Sequence, residues 1–159
     1  TGEVMCQDED FGMAYAKTQM AAKPSLPLKG NVFLSVKDSD KKKALVVAQG
    51  LTKLGFSFYS TEGTAHFLNE NGIQAKTVLR ISEGRPNVAD LIKNGKIQLV
   101  INTPLGLIPR RDENGIRTEA VLHKVPVITT LSSAFAALNG IRSLKDRKFS
   151  VKSLQDYSN

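Results

Sequence analysis

Apolar and polar positions run along this chain in two rhythms that keep giving way to one another. Short apolar runs occupy residues 31–36 (NVFLSV), 56–59 (FSFY), 75–79 (AKTVL), 97–102 (IQLVIN) and 125–130 (VPVITT). Each is strand-length and carries little polar alternation. Between them, apolar residues recur every three or four positions. Ala44, Val47, Ala48, Leu51 and Leu54 mark one face of a helix over 39–55, which Ser39 or Asp40 can cap and Gly55 can stop. The same spacing predicts helices over 63–72 and 87–95, closed by Gly72 and Gly95, and over 116–124 and 132–144. Residues 105–115 read as a loop. Ahead of the first strand, only Phe11, Ala14 and Tyr15 hint at a helix, and the stretch AAKPSLPLKG over 21–30 reads as a linker. The main domain is therefore placed from residue 29 onward, with 1–28 as a preceding segment and linker.

Strand and helix alternate five times. Strands that are apolar throughout are buried on both faces, which predicts a three-layer α/β/α domain around a five-stranded, mainly parallel sheet. The 159 residues suit one such domain. A chain of this size buries roughly 70% of its unfolded surface and needs no disulfide or metal to hold its core. The single cysteine, Cys6, excludes an intrachain disulfide and any cysteine-based zinc site, which fits a reducing, cytoplasmic setting. No apolar run approaches the ~20 residues of a membrane-spanning helix. The chain opens on Thr1 rather than methionine and reads as a piece of a longer protein.

Charge narrows the choice of partners. The formal net charge is +7, but it is uneven: Asp8, Glu9 and Asp10 make the start acidic, and Lys145, Arg147, Lys148 and Lys152 make the end basic. No basic block is interleaved with aromatics, and aromatics are only 6% of the chain, which argues against nucleic acid. A soluble basic surface or a specific anion site remains.

In open α/β sheets, ligands bind beyond the carboxyl ends of the strands. The residues expected there are Ser35 and Lys41 after the first strand, Thr61, Gly63 and Thr64 after the second, and Arg80 after the third. Asn102 and Thr103 follow the fourth, and Thr129 and Thr130 the fifth. The stretch STEGTAHFL, residues 60–68, joins a strand to a helix through two threonines and a glycine. Two readings stand. The threonine hydroxyls can cap the helix, or they can join its free N–H groups in holding a phosphate that Lys41 and Arg80 close upon. No P-loop or GxGxxG accompanies them. His66 and His123 fall on helices away from any nucleophile and read as surface or packing residues. Glu83 and Arg85 are near enough in sequence to pair across a turn. No acid/base pair emerges, and no metal site.

The run LSVKDSDK, then LGFSFYSTEGTAHFLNENGI, then RISEGRPNVADLIKNGKIQLVINTP resembles the C-terminal allosteric domain of carbamoyl-phosphate synthetase large subunits, of the methylglyoxal synthase-like group. The resemblance covers about residues 30–154. TGEVM at the start, with FGMAYAKTQ, is similar to the end of the second ATP-grasp unit of the same subunits, where Cys6 replaces a glycine. The resemblance implies a regulatory domain that binds UMP or IMP and carries no catalysis or cofactor of its own. It implies a parent ligase using ATP with Mg or K, serving pyrimidine and arginine biosynthesis, with the rest of the large subunit and a glutaminase small subunit as partners.

By position, the resemblance makes Lys41, Thr61, Gly63, Thr64 and Arg80 the effector-phosphate set. It puts Ser35, Asn102, Thr103, Thr129 and Thr130 on the base and ribose side. Three departures matter. Pro104 replaces a threonine of that lining, Val127 replaces a tyrosine that contacts ornithine in some members, and Arg85 stands where the lyases of the group have their aspartate base. An arginine cannot take a substrate proton at neutral pH, which counts against a methylglyoxal synthase-like lyase. A structural role in assembly, with a vestigial pocket, is the other alternative.

Overall fold

The computed structural model describes residues 3–103 and 111–157. Five strands form one sheet: β1 (Gly30–Ser35), β2 (Phe56–Ser60), β3 (Ala75–Thr77), β4 (Leu99–Asn102) and β5 (Val127–Ile128). Their order is β3-β2-β1-β4-β5, and all four pairings are parallel. The helices are α1 (Phe11–Ala22), α2 (Lys41–Lys53), α3 (Glu62–Glu70), α4 (Val88–Lys93), α5 (Arg111–Leu122) and α6 (Leu131–Asp146).

Side chains alternate across β1 and build two cores. Val32 and Leu34 pack with Val47 and Leu51 of α2 and Leu138 and Ile141 of α6. Phe33 points the other way, among Val88 and Ile92 of α4 and Ile116 and Ala120 of α5. β4 divides in the same manner, with Leu99 and Ile101 in the first core and Val100 in the second. This is the three-layer α/β/α arrangement that the unbroken apolar runs require. Helix closure follows the glycines: Gly72 and Gly95 have φ of +79° and +64°, where other residues are strained.

Three details differ from the sequence expectation. The loop expected over 105–115 lies partly outside the described residues, but its end, 111–115, is the first part of α5. The last strand contracts from six residues to Val127–Ile128. α1 is longer than its weak apolar pattern suggested, because its buried face is made of Gly12, Met13 and Ala16 and meets α6. Gly140 of α6 sits against the Gly12 carbonyl, Ala16 and Leu26. Two backbones approach at this point, where any larger pair of residues would hold them apart. Among the described residues, no helix is long and apolar enough to cross a membrane.

Candidate functional site

β1 lies at the middle of the sheet with β2 and β4 on either side, so the segments leaving their carboxyl ends meet. The result is a cleft of about 410 Å³. Ser35, Lys41, Thr61, Gly63, Thr64, Arg80, Asn102 and Thr103 all line it. Eight of the ten residues expected on this edge are thus brought together. Thr129 lines a small neighbouring hollow with Asn102 and Val127 instead. Thr130 is the N-cap of α6, its hydroxyl accepting from the Ser133 N–H.

The threonines correct the capping expectation. Thr61 occupies the N-cap of α3, yet makes no side-chain cap hydrogen bond. Its Oγ1 lies 2.9 Å from Ser35 Oγ, across to β1. The Thr64 hydroxyl accepts from Val36 N at 3.4 Å. Both side chains are buried, and both bind strand to helix rather than closing the helix end. The first turn of α3 therefore keeps its positive end open to the cleft, without a side-chain oxygen in the way. Asp40 likewise caps α2 by position only, with no side-chain hydrogen bond. Ser60, one residue before Thr61, is fully buried and its hydroxyl has no hydrogen-bond partner among the described residues. It lies on the Phe56 and Phe58 side of β2, towards the core.

Lys41 begins α2 and reaches over the start of α3. A Cβ on Gly63 would lie 3.7 Å from its Nζ. The ammonium is held 2.8 Å from Asp38, a fully solvated carboxylate whose pKa this hydrogen bond lowers. The Phe67 ring lies 5.9 Å from the same nitrogen. A cation over an open helix N-terminus is the electrostatic arrangement that an anion requires.

Opposite, Arg80 begins a 3-10 turn over Ile81–Glu83. Its backbone N–H donates to Glu83 at 2.7 Å and its guanidinium lies 3.8 Å from the same carboxylate. The expected Glu83–Arg85 pair does not form. Arg85 instead grips Asp90 through two guanidinium nitrogens, which lowers the Asp90 pKa and raises that of Arg85. Both face a separate hollow beyond the turn, not the cleft.

Sequence reasoning missed the fourth wall. Arg111, Asp112, Glu113 and Ile116 line the cleft from the start of α5. Asp112 accepts from Ser82 N at 2.9 Å and Ser82 Oγ at 2.6 Å, joining α5 to the turn after β3. Aspartate early in a helix was a usable signal, but the apolar periodicity begins only at Ile116. Lys37 also lines the cleft, its backbone N–H donating to Thr103 Oγ1 at 3.3 Å. Pro104 lies outside the described residues. His66 sits on the surface of α3 near Glu70 at 3.2 Å, and His123, expected on a helix, lies in the turn just past α5, 3.6 Å from Glu119. No group of three His, Cys, Asp or Glu side chains gathers as a metal site among the described residues.

The cleft can hold an anion at its Lys41 and Gly63 end. The α5 end carries both signs of charge, Arg111 beside Asp112 and Glu113, with Asp112 already accepting from Ser82.

Comparison with known proteins gives the same family. A model of the MGS-like domain matches residues 43–129. The C-terminal section of the carbamoyl phosphate synthase large chain of Aquifex aeolicus is 50% identical over all of this chain, which spans 30% of that protein. The large chain of Archaeoglobus fulgidus is 49% identical over 99% of this chain, which covers 15% of it. The chain thus spans less than a third of either relative's length. Methylglyoxal synthase from Elizabethkingia anophelis shares the fold, with a TM-score of 0.58 over 84% of this chain and 92% of that one, at 18% identity.

Proposed function

The chain belongs to the MGS-like domain family, and on that premise we propose that it is the nucleotide-sensing domain of a carbamoyl phosphate synthase large chain. It binds the phosphate of UMP or IMP and performs no chemistry itself. The observation that carries this reading is the meeting of Lys41, Gly63 and Arg80 at the uncapped N-terminus of α3, in a cleft large enough for a nucleotide. On this reading the phosphate lies against Gly63 and between Lys41 and Arg80. The ribose hydroxyls face Asp112, and the base lies towards Asn102 and Thr103. Thr61 and Thr64 hold the strand–helix corner and, as the hydroxyls rotate, offer donors to the phosphate.

Absence of catalysis is supported by Arg85. It takes the place of the lyases' aspartate and is neutralised by Asp90 outside the cleft. The wider roles follow from the same premise. The parent makes carbamoyl phosphate from bicarbonate, glutamine-derived ammonia and ATP, with Mg or K in its ATP-grasp units, in the cytoplasm. This domain contacts the rest of that large subunit, which works with a glutaminase small subunit. Val127 makes ornithine a weaker candidate effector than the nucleotides. A nucleotide regulates only by favouring one state of the whole enzyme over another.

Calorimetric titration of the chain with UMP and then IMP tests the proposal. Saturable binding of either is expected, and dihydroxyacetone phosphate should give no methylglyoxal. Failure of both nucleotides to bind would leave the assembly role in its place.

Gly63→Ala separates ligand contact from folding. Its new Cβ would meet nothing closer than the Lys41 Nζ at 3.7 Å, an ordinary contact. Gly63 is the second residue of α3, so alanine there should raise stability, by less than the ~1 kcal/mol of a helix interior. The same methyl stands where the phosphate must approach the backbone. The expected outcome is a higher Tm with weaker UMP binding, read by thermal melts with and without nucleotide. A variant that binds as tightly as the parent would place the phosphate elsewhere.

A further inference from the structure

The uneven charge of the chain has a spatial counterpart away from the cleft. The acidic segment before α1 and the basic segment after α6 lie together. Asp10 caps α1 by accepting from Met13 N at 2.8 Å, and the same carboxylate accepts from Ser143 Oγ of α6. Arg147, just past the end of α6, lies 3.7 Å from the other Asp10 oxygen. Asp8 pairs with Lys17 of α1 at 2.7 Å, with only 15% and 9% of the two side chains exposed. The ring of Phe149 lies 5.6 Å from the Lys17 ammonium. Beyond it, Lys152 reaches back to Glu9 at 3.7 Å and lies 5.5 Å from the Tyr157 ring.

We propose that residues 147–157 are a strap that folds back over α1 and clamps the acidic entry segment 8–10 onto α6, in an inner permanent tier and an outer releasable one. The inner tier is Asp8 with Lys17 and Asp10 with Ser143. These contacts are short, and the first pair is largely shielded from solvent, so salt screens it little. The outer tier is Arg147 with Asp10 and Lys152 with Glu9. Both pairs are long, and three of the four side chains are about half exposed or more. Such pairs are weak and salt-sensitive.

The two tiers have different tasks. The inner one fixes the start of α1 on α6, the helix whose N-cap, Thr130, directly follows Thr129 at the ligand edge of the sheet. The outer one sets whether the tail lies over the entry segment or leaves it open.

Hydrogen exchange in the whole chain tests this at four reporter amides. Ser153, which donates to Asp156 Oδ2, and Asp156, which donates to the Ser153 carbonyl, report the tail. Asp10, which donates to Asp8, and Met13, which donates to Asp10 Oδ1, report the inner tier. Lys152→Glu and Glu9→Lys should each speed exchange of the two tail amides about fivefold, and 0.5 M NaCl should do about the same to the parent. The double variant, which restores opposite charges in reversed order, should return exchange to the parent rate. Asp10 and Met13 should be unaffected throughout, since they report the inner tier. Single variants without effect, or a double variant that fails to recover, would show that the tail is not a strap. Loss of protection at the tail and inner amides together would show one tier and not two.

Discussion

Lys41→Ala is expected to weaken UMP binding by about 10- to 100-fold, the loss that follows from removing one hydrogen bond to a charged phosphate. Several cations line the cleft, but this one is placed by the most constraints. It starts α2 at the end of a short 3-10 turn, Asp38–Asp40, so its backbone position is set by that turn. Its side chain is only 21% exposed and lies over Gly63. Arg80, 45% exposed and shared with Glu83, should matter less. Phosphate must share Lys41 with Asp38, but that carboxylate is 93% exposed and the pair is a weak competitor. Thermal stability should change little, since the ion pair lost is a surface one. Titration calorimetry reads the affinity and a melt without nucleotide reads the fold. Undiminished UMP affinity in Lys41→Ala would remove the phosphate from the end of α3.

The second large effect lies outside the cleft, where α1 packs on α6. Gly12→Ala should destabilise the chain by about 1–3 kcal/mol, through overpacking where α1 meets α6. A Cβ at residue 12 would lie 2.5 Å from Ser143 Oγ and 2.6 Å from the Asn139 carbonyl oxygen. The hydroxyl could turn aside, at the cost of its bond to Asp10. The carbonyl belongs to the backbone of α6 and cannot. The two helices must move apart, which also disturbs Gly140 against the Gly12 carbonyl. Tm should fall by about 2–12 °C for a chain of this size, against the slight gain that alanine normally brings to a helix. Gly12 is not among the residues that line the cleft, so on the proposed reading UMP affinity of the folded chain should be unchanged. An unshifted Tm would show that α1 is not held against α6 at this distance.

These predictions rest on features of unequal legibility in the sequence. β1 and β4 were the plainest because successive residues are buried on both faces, which leaves an unbroken apolar run; β2 exposes Ser57, and β3 exposes Lys76 and Thr77 at the sheet edge. β5 was overestimated because VPVITT is apolar beyond the two residues that pair with β4. α5 lost its first turn to a loop because only Ile116 and Ala120 of that helix are buried, and nothing ahead of Ile116 carries an apolar period. α1 was faint for a related reason. Its contact face is two small residues and one methionine, and smallness at a helix crossing leaves no trace in a hydrophobic pattern.

The site divides in the same way. Parallel strands end on one edge, so Ser35, Thr61, Asn102 and their neighbours could be collected by rule before any coordinates. What each hydroxyl does could not. Thr61 reads as a cap in sequence because a threonine before a helix usually is one, yet a serine 26 positions earlier takes its hydrogen bond. Asp112 and Ser82, 30 positions apart, close the cleft wall together.

What the sequence by itself determined, then, is whatever depends on neighbours within a turn or along a strand: the order of elements, the burial of the sheet, and which residues stand at its carboxyl edge. Tertiary structure decided which partners those residues take, the close seating of α1 on α6, and the meeting of the acidic segment before α1 with the basic segment after α6. Those are contacts between segments tens of residues apart, and local periodicity carries no information about where two such segments meet.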